Sequence, residues 1–291
     1  MPAPPPQTQI RNCLLLLNCK LPSMDGSPKR ASPPPQSVAV DTVAVEQHNQ
    51  EIHENLKFWN QKPELQAEYA RFYRLISRHL PPATAGPVLE CGSGIGNLKS
   101  VLPHAITSDL FPNPWLDRVE NIYALNFAPD TLAGIVLFDV FHHLRFPGTA
   151  LHGIRRVLKP AGRVVIMEPA AGLLGRIVLG LFHHEPLALR NEITWDAPSS
   201  FDPQSTDYYA AQGNAWRVFG RRPNDFNLTG WKIEKIHYLP ATPWIATGGF
   251  RGPSLNRGPL QIVFRAIDRL LRIAPRFFAS RMVVVLEKSD A

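Results

Sequence analysis

Val88-Leu89-Glu90-Cys91-Gly92-Ser93-Gly94-Ile95-Gly96 decides how this chain is read. A short apolar run stops abruptly at three glycines spaced two apart. A strand that must turn sharply toward a helix while a ligand approaches its backbone needs residues that tolerate positive φ and carry no Cβ. The backbone N–H groups beyond such a turn favour a negative group. A dinucleotide fingerprint G-x-G-x-x-G counted from Gly92 would need glycine at 97, where Asn97 stands instead.

Working outward, apolar and helical segments alternate. A helix is expected from the glycine turn to about Leu102, and strands over Ala105–Leu110, Val119–Tyr123 and Leu132–Val140. The last is near-continuously apolar, as befits a strand buried on both faces. Pro147 is placed to start a helix that runs to Leu158. Lys159 to Gly162 then turns the chain into a strand at Arg163–Glu168, followed by a helix over Leu173–Phe182. Trp231–Leu239 and Arg281–Glu287 are the closing strands. Alternating β and α units predict an α/β, doubly wound, mostly parallel sheet with helices on both faces. Asp109, Asn121 and Asp139 then fall at carboxyl ends of consecutive strands, the rim where such sheets bind ligands. Asp109 follows Gly92 by 17 positions, a spacing that lets an acid reach ribose hydroxyls.

The rest of the chain surrounds this core. Residues 1–44, rich in proline and serine, read as a disordered tail, and 45–84 as a helical brace ended by Pro81-Pro82. Residues 85–182 form the expected core, 183–230 an aromatic acceptor lid, and 231–291 the closing strands with a basic helical insertion. Three cysteines make no disulfide framework. No apolar run approaches the roughly 20 residues that span a bilayer, so a soluble protein of the reducing cytoplasm is expected. The net charge of +7 is concentrated late. Arg251, Arg257, Arg265, Arg269, Arg272, Arg276 and Arg281 face the single acid Asp268. Within that stretch Leu260–Ile273 is amphipathic. Packing of its apolar stripe against the sheet edge is the favoured reading, and contact with an anionic membrane the alternative.

Four segments in order carry a resemblance: VLECGSGIG (88–96), ITSDL (106–110), LNFAPDTLAGIVLFDVFHHL (125–144) and RVLKPAGRVVIMEP (156–169). From about Leu56 to Pro169 the chain resembles class I S-adenosylmethionine-dependent methyltransferases of the small-molecule, type 11 kind, which implies a Rossmann-like sheet of seven strands whose last, Arg281–Glu287, runs antiparallel. The resemblance implies that Glu90 and the backbone of Cys91, Gly92, Ser93, Gly94 and Gly96 cradle the amino-acid end of the cofactor. It implies ribose binding by Asp109, adenine recognition at Asn121, where many relatives carry aspartate, and a place for Asp139 beside the methionine portion.

Methyl transfer from a sulfonium then asks the protein to position an acceptor and, where required, to take its proton. The candidate bases are His142, His143, His183, His184 and Glu185. No H-E-x-x-H pattern occurs, so no metal is expected. The Asn/Asp-Pro-Pro-aromatic tetrad of base methylation is missing after the fourth strand, so nucleic acid is not the expected substrate. A small organic acceptor is expected, with oxygen the favoured atom. A nicotinamide oxidoreductase and a catalytically silent cofactor-fold module are the alternatives.

Overall fold

The computed structural model describes residues 42–182, 185–204 and 209–289. The expected tail lies almost wholly outside them. Seven strands form one sheet: β1 (Val88–Cys91), β2 (Ile106–Asp109), β3 (Arg118–Val119), β4 (Leu132–Phe138), β5 (Leu158–Pro169), β6 (Trp231–Leu239) and β7 (Arg281–Lys288). Their order is β3-β2-β1-β4-β5-β7-β6. The first five in that order run parallel, and β7 is antiparallel to both of its neighbours. The expected doubly wound sheet with an antiparallel last strand is what forms.

Two helices precede the sheet, α1 (Thr42–Gln61) and α2 (Pro63–Ser77). The helical stretch breaks at Lys62 because Pro63 takes an N1 position and pushes the residue before it out of the α region. Tyr69, Phe72 and Tyr73 of α2 pack round Phe138 at the end of β4, with ring centroids 5.1–6.1 Å away. The brace therefore lies against the rim of the sheet. Helix α3 (Pro147–Val157) covers the other face with Leu151, Ile154 and Val157 fully or almost fully buried.

Several local expectations are corrected. Only a 3-10 turn, Asn97–Ser100, follows the glycines instead of a helix to Leu102. Strand β3 is two residues long, so Asn121 sits in the turn beyond it. The Lys159–Gly162 segment is continuous with β5, and Ala161 takes positive φ there. Past α4 (Leu173–Phe182) the aromatic segment contributes to the core itself: Trp216 and Phe219, on a π-helical turn (Trp216–Arg221), are buried, with Phe219 5.1 Å from Phe141. Two further helices, α5 (Thr242–Ala246) and α6 (Leu260–Leu271), lie between β6 and β7.

The favoured packing of the α6 stripe does not occur. Its inward face carries Gln261, Phe264, Asp268 and Leu271, while Ile262, Val263, Ile267 and Leu270 face solvent. Asp268 decides the orientation. Its carboxylate accepts hydrogen bonds from Thr242 N and from Arg272, and Thr242 Oγ1 donates to Phe264 O, so turning the apolar side inward would break this set.

Candidate functional site

Glu90, Asp109, Asp139 and Glu168 stand at the carboxyl ends of β1, β2, β4 and β5. Each reaches that rim because the strand behind it is buried and leaves an acid only at its last turn. The glycine loop joins the first two. Gly92, Gly94 and Gly96 all take positive φ, at 71°, 53° and 69°. Their reasons differ. A Cβ on Gly92 would run into the Val140 side chain, and one on Gly96 would lie 3.1 Å from Trp115 O. A Cβ on Gly94 would meet nothing within 4 Å, so this glycine borders open space.

Ser93 is a tie between strands. Its hydroxyl donates to Glu90 O at 3.2 Å and accepts from Ser108 N at 3.0 Å. Cys91 is buried, and burial pushes its thiol up to about 12, which leaves only its backbone for a ligand. Asp109 accepts from Gly94 N (3.0 Å) and Leu110 N (2.8 Å), so the second-strand acid buttresses the glycine loop directly.

Glu90 is fully buried, and its Oε2 meets no partner among the described residues. Burial raises its pKa to about 8; the Ser93 hydroxyl opposes this shift and the Asp109 charge adds to it. An orphaned buried carboxylate beside an open glycine cradle fits a ligand that brings an ammonium group. The linkage has a definite sign. The group's contribution to stability is full below the ordinary value of 4.5 and is lost as pH rises through about 8. Binding of an ammonium would favour the carboxylate and so release a proton. Affinity for S-adenosylhomocysteine is therefore expected to rise with pH up to about 8, by up to about tenfold per unit. Calorimetry at pH 7 in buffers of different ionisation enthalpy reads that proton, and Glu90→Gln should erase it. Ser93, Asp109 and Tyr73 are the groups that face Glu90.

Asn121 is held by its own turn. Oδ1 accepts from Tyr123 N at 2.9 Å, and Nδ2 donates to Pro203 O in the segment expected as a lid. Asp139 has φ 56° and is locked to a residue that the sequence placed only in the late basic run and at the start of the last strand. Arg281, the first residue of β7, is buried and grips it with Nη1–Oδ1 at 2.8 Å and Nη2–Oδ2 at 2.9 Å. The guanidinium lies 5.0 Å from the Trp244 ring centroid and 5.3 Å from that of Phe138. Only the antiparallel pairing of Pro169 with Arg281 brings it there, and no local signal in the sequence marks it.

The histidines sit just beyond. His142 is buried, with Nδ1 donating to Glu168 at 2.7 Å, while Glu168 also accepts from Phe141 N at 2.6 Å. Burial resists charge on His142, but Glu168 and Glu185 outweigh it and hold its pKa up to about 10. His143 Nδ1 donates to Tyr209 O at 2.9 Å, and its Nε2 lies 3.8 Å from Glu185 Oε1. Its pKa is lowered, first by burial and then by the charge of His142, so the ring is neutral near pH 7. Glu185 also lies 3.5 Å from His142 Nε2 and accepts from the Gln212 amide. Donor atoms of His142, His143 and Glu185 lie within 4.8 Å of one another, as do those of Asp139, His142 and Glu168. His183 and His184 lie outside the described residues. Glu168 and Gln212 were missed: an acid ending the apolar run at Glu168 was a usable signal, and Gln212 offered none.

A methyltransferase-domain family model matches residues 59–221, more than half of the chain. The chain belongs to this methyltransferase family. The match runs from the brace through the glycine loop and the histidines to the π-helical turn. S-adenosylmethionine is its cofactor, and the Glu90 and Gly94 geometry fits it. No curated protein matches the chain. Solved structures resemble it in fold. One is a possible histamine N-methyltransferase from Thermotoga maritima, with 11% identity over 83% of this chain and 100% of the other, at a TM-score of 0.47. A methyltransferase from Archaeoglobus fulgidus has 13% identity over 77% and 94%, at 0.45. A geranyl diphosphate methyltransferase in complex with the cofactor has 12% identity over 76% and 85%, also at 0.45.

Proposed function

We propose that this methyltransferase acts in the cytoplasm on a small organic acceptor, at oxygen, with His143 as the general base. The observation that supports this most is the tautomer imposed on His143. Its Nδ1 donates to Tyr209 O, which makes Nε2, 3.8 Å from Glu185 Oε1, the basic nitrogen of the neutral ring. Bound S-adenosylmethionine supplies an electrophilic methyl group and a neutral thioether leaving group. His143 Nε2 would take the hydroxyl proton as the acceptor oxygen forms its bond to the methyl carbon. Glu185 would stabilise the resulting imidazolium, and Glu168 would hold His142 in place behind it.

On the cofactor side, the ammonium would sit against Glu90. The backbone of Cys91, Gly92, Ser93, Gly94 and Gly96 would line the methionine end, and Asp109 would take the ribose hydroxyls. Asn121 Oδ1 keeps a second lone pair for the adenine amino group. Asp139 would border the methionine portion with its charge balanced by Arg281. His183 and His184 remain candidates for contact with the acceptor.

Calorimetry with S-adenosylhomocysteine and with NAD tests the cofactor reading, since binding of NAD alone would refute it. Methyl incorporation from labelled cofactor into pooled hydroxylated and amino compounds tests the acceptor. With an acceptor in hand, His143→Asn is expected to lower transfer by about 10²–10⁴-fold without weakening S-adenosylhomocysteine. The wild-type rate should rise through an inflection below pH 6.5 as His143 loses its proton, with Glu185, Glu168, Tyr209 and His142 facing it. A chelator should leave the rate unchanged. Undiminished transfer by His143→Asn would remove the base assignment.

A further inference from the structure

An amphipathic helix ordinarily hides its apolar side, and α6 does the reverse. Ile262 is 73% exposed and Leu270 63%, and just beyond the helix Ile273 reaches 81%. Leu255, Leu260, Val263, Ile267 and Phe277 are exposed beside them. A second stripe continues this surface. On α4, Leu173, Ile177 and Leu181 lie four residues apart on one exposed side, and Phe182 ends it at 81% exposure. The two stripes meet where Leu173 N donates to Phe277 O at 2.7 Å.

So many exposed large aliphatic and aromatic residues in one region exceed the scattered apolar surface of an ordinary monomer. The charges that frame them have one sign. Across 173–182 and 255–278 the lone acid is Asp268, which is buried and paired with Arg272. Arg265, Arg269 and Arg276 are exposed on the same helix and the turn after it. No helix among the described residues is long and apolar enough to cross a membrane. We propose that the α4–α6 face docks on an anionic lipid bilayer. Its aliphatic stripes enter the acyl boundary, and Arg265 and Arg269 lie among the headgroups. A second protein copy would bring the same arginines against each other, whereas a surface of phosphates complements them. The docking does not depend on the acceptor reading.

Co-sedimentation with vesicles of phosphatidylglycerol and phosphatidylcholine in equal parts tests this with the full chain. Binding is expected at low salt, with much weaker binding to pure phosphatidylcholine and at about 1 M salt, where the screening length falls to about 3 Å. Arg265→Gln with Arg269→Gln should weaken low-salt binding about 25-fold, about fivefold for each charge. The triple variant Ile262→Ser, Leu270→Ser, Ile273→Ser changes only exposed positions, so its S-adenosylhomocysteine affinity and melting temperature should hold. Its vesicle binding should fall at least roughly tenfold. Absence of low-salt binding, equal binding to neutral vesicles, or retained binding by the triple variant would overturn the proposal. So would a dimer in solution that the triple variant dissociates, because the face would then serve self-association.

Discussion

Arg281→Met is expected to lower folding stability by about 3 kcal/mol, the lower end of the range for breaking a buried ion pair from one side. The guanidinium is almost fully enclosed and makes both short contacts to Asp139. Methionine can fill much of the space among Phe72, Phe138 and Trp244, so lost packing is the smaller part. The larger part is the carboxylate left behind. Asp139 is one-third exposed, so water relieves some of its isolation, and this places the effect at the lower end. For a chain of this size the melting temperature should fall by roughly 6–12 °C. Adding Asp139→Asn to Arg281→Met should recover part of the loss, because the uncompensated charge goes with it. A shift below about 2 °C for Arg281→Met would mean that the pair holds the rim without stabilising it.

Gly94→Val is expected to abolish measurable S-adenosylhomocysteine binding while leaving a folded protein. The two parts have separate causes. A β-branched residue at φ 53° carries backbone strain of about 1–3 kcal/mol, yet its Cβ meets no protein atom within 4 Å. The side chain would instead fill the space that the cofactor reading assigns to the methionine end. Gly92→Val is the informative contrast. There the added Cβ strikes Val140 at the end of β4, so thermal stability should fall together with binding. Equal, large losses of stability in both variants would show that the loop is only a structural corner. Retained binding by a folded Gly94→Val protein would sink the cradle assignment.

Much of this molecule was legible because its signals are local. The period of apolar residues, the proline before α3 and the glycines at the end of β1 each act on a few neighbouring residues. They place the strands of the parallel core, with β3 as the weakest case. Asp109 and Asp139 could be assigned to the rim for the same reason, since a parallel strand delivers its last residue there wherever it lies in the chain, whereas Glu90 was reached only through the family resemblance.

What the sequence alone determined was therefore the order and direction of the elements and the position of the glycine cradle. Tertiary structure decided the rest. Arg281 reaches Asp139 across 142 residues through the antiparallel seating of β7. His142 and His143, neighbours in sequence, acquire opposite shifts because Glu168 and Glu185 outweigh burial at the first, while burial and the charge of His142 lower the second. The outward turn of α6 follows from Asp268, whose buried hydrogen bonds outweigh an apolar stripe that periodicity alone would place inside. A pattern of apolar residues fixes which side of a helix differs from the other. Which side faces the protein depends on the groups waiting there, and those come from distant parts of the chain.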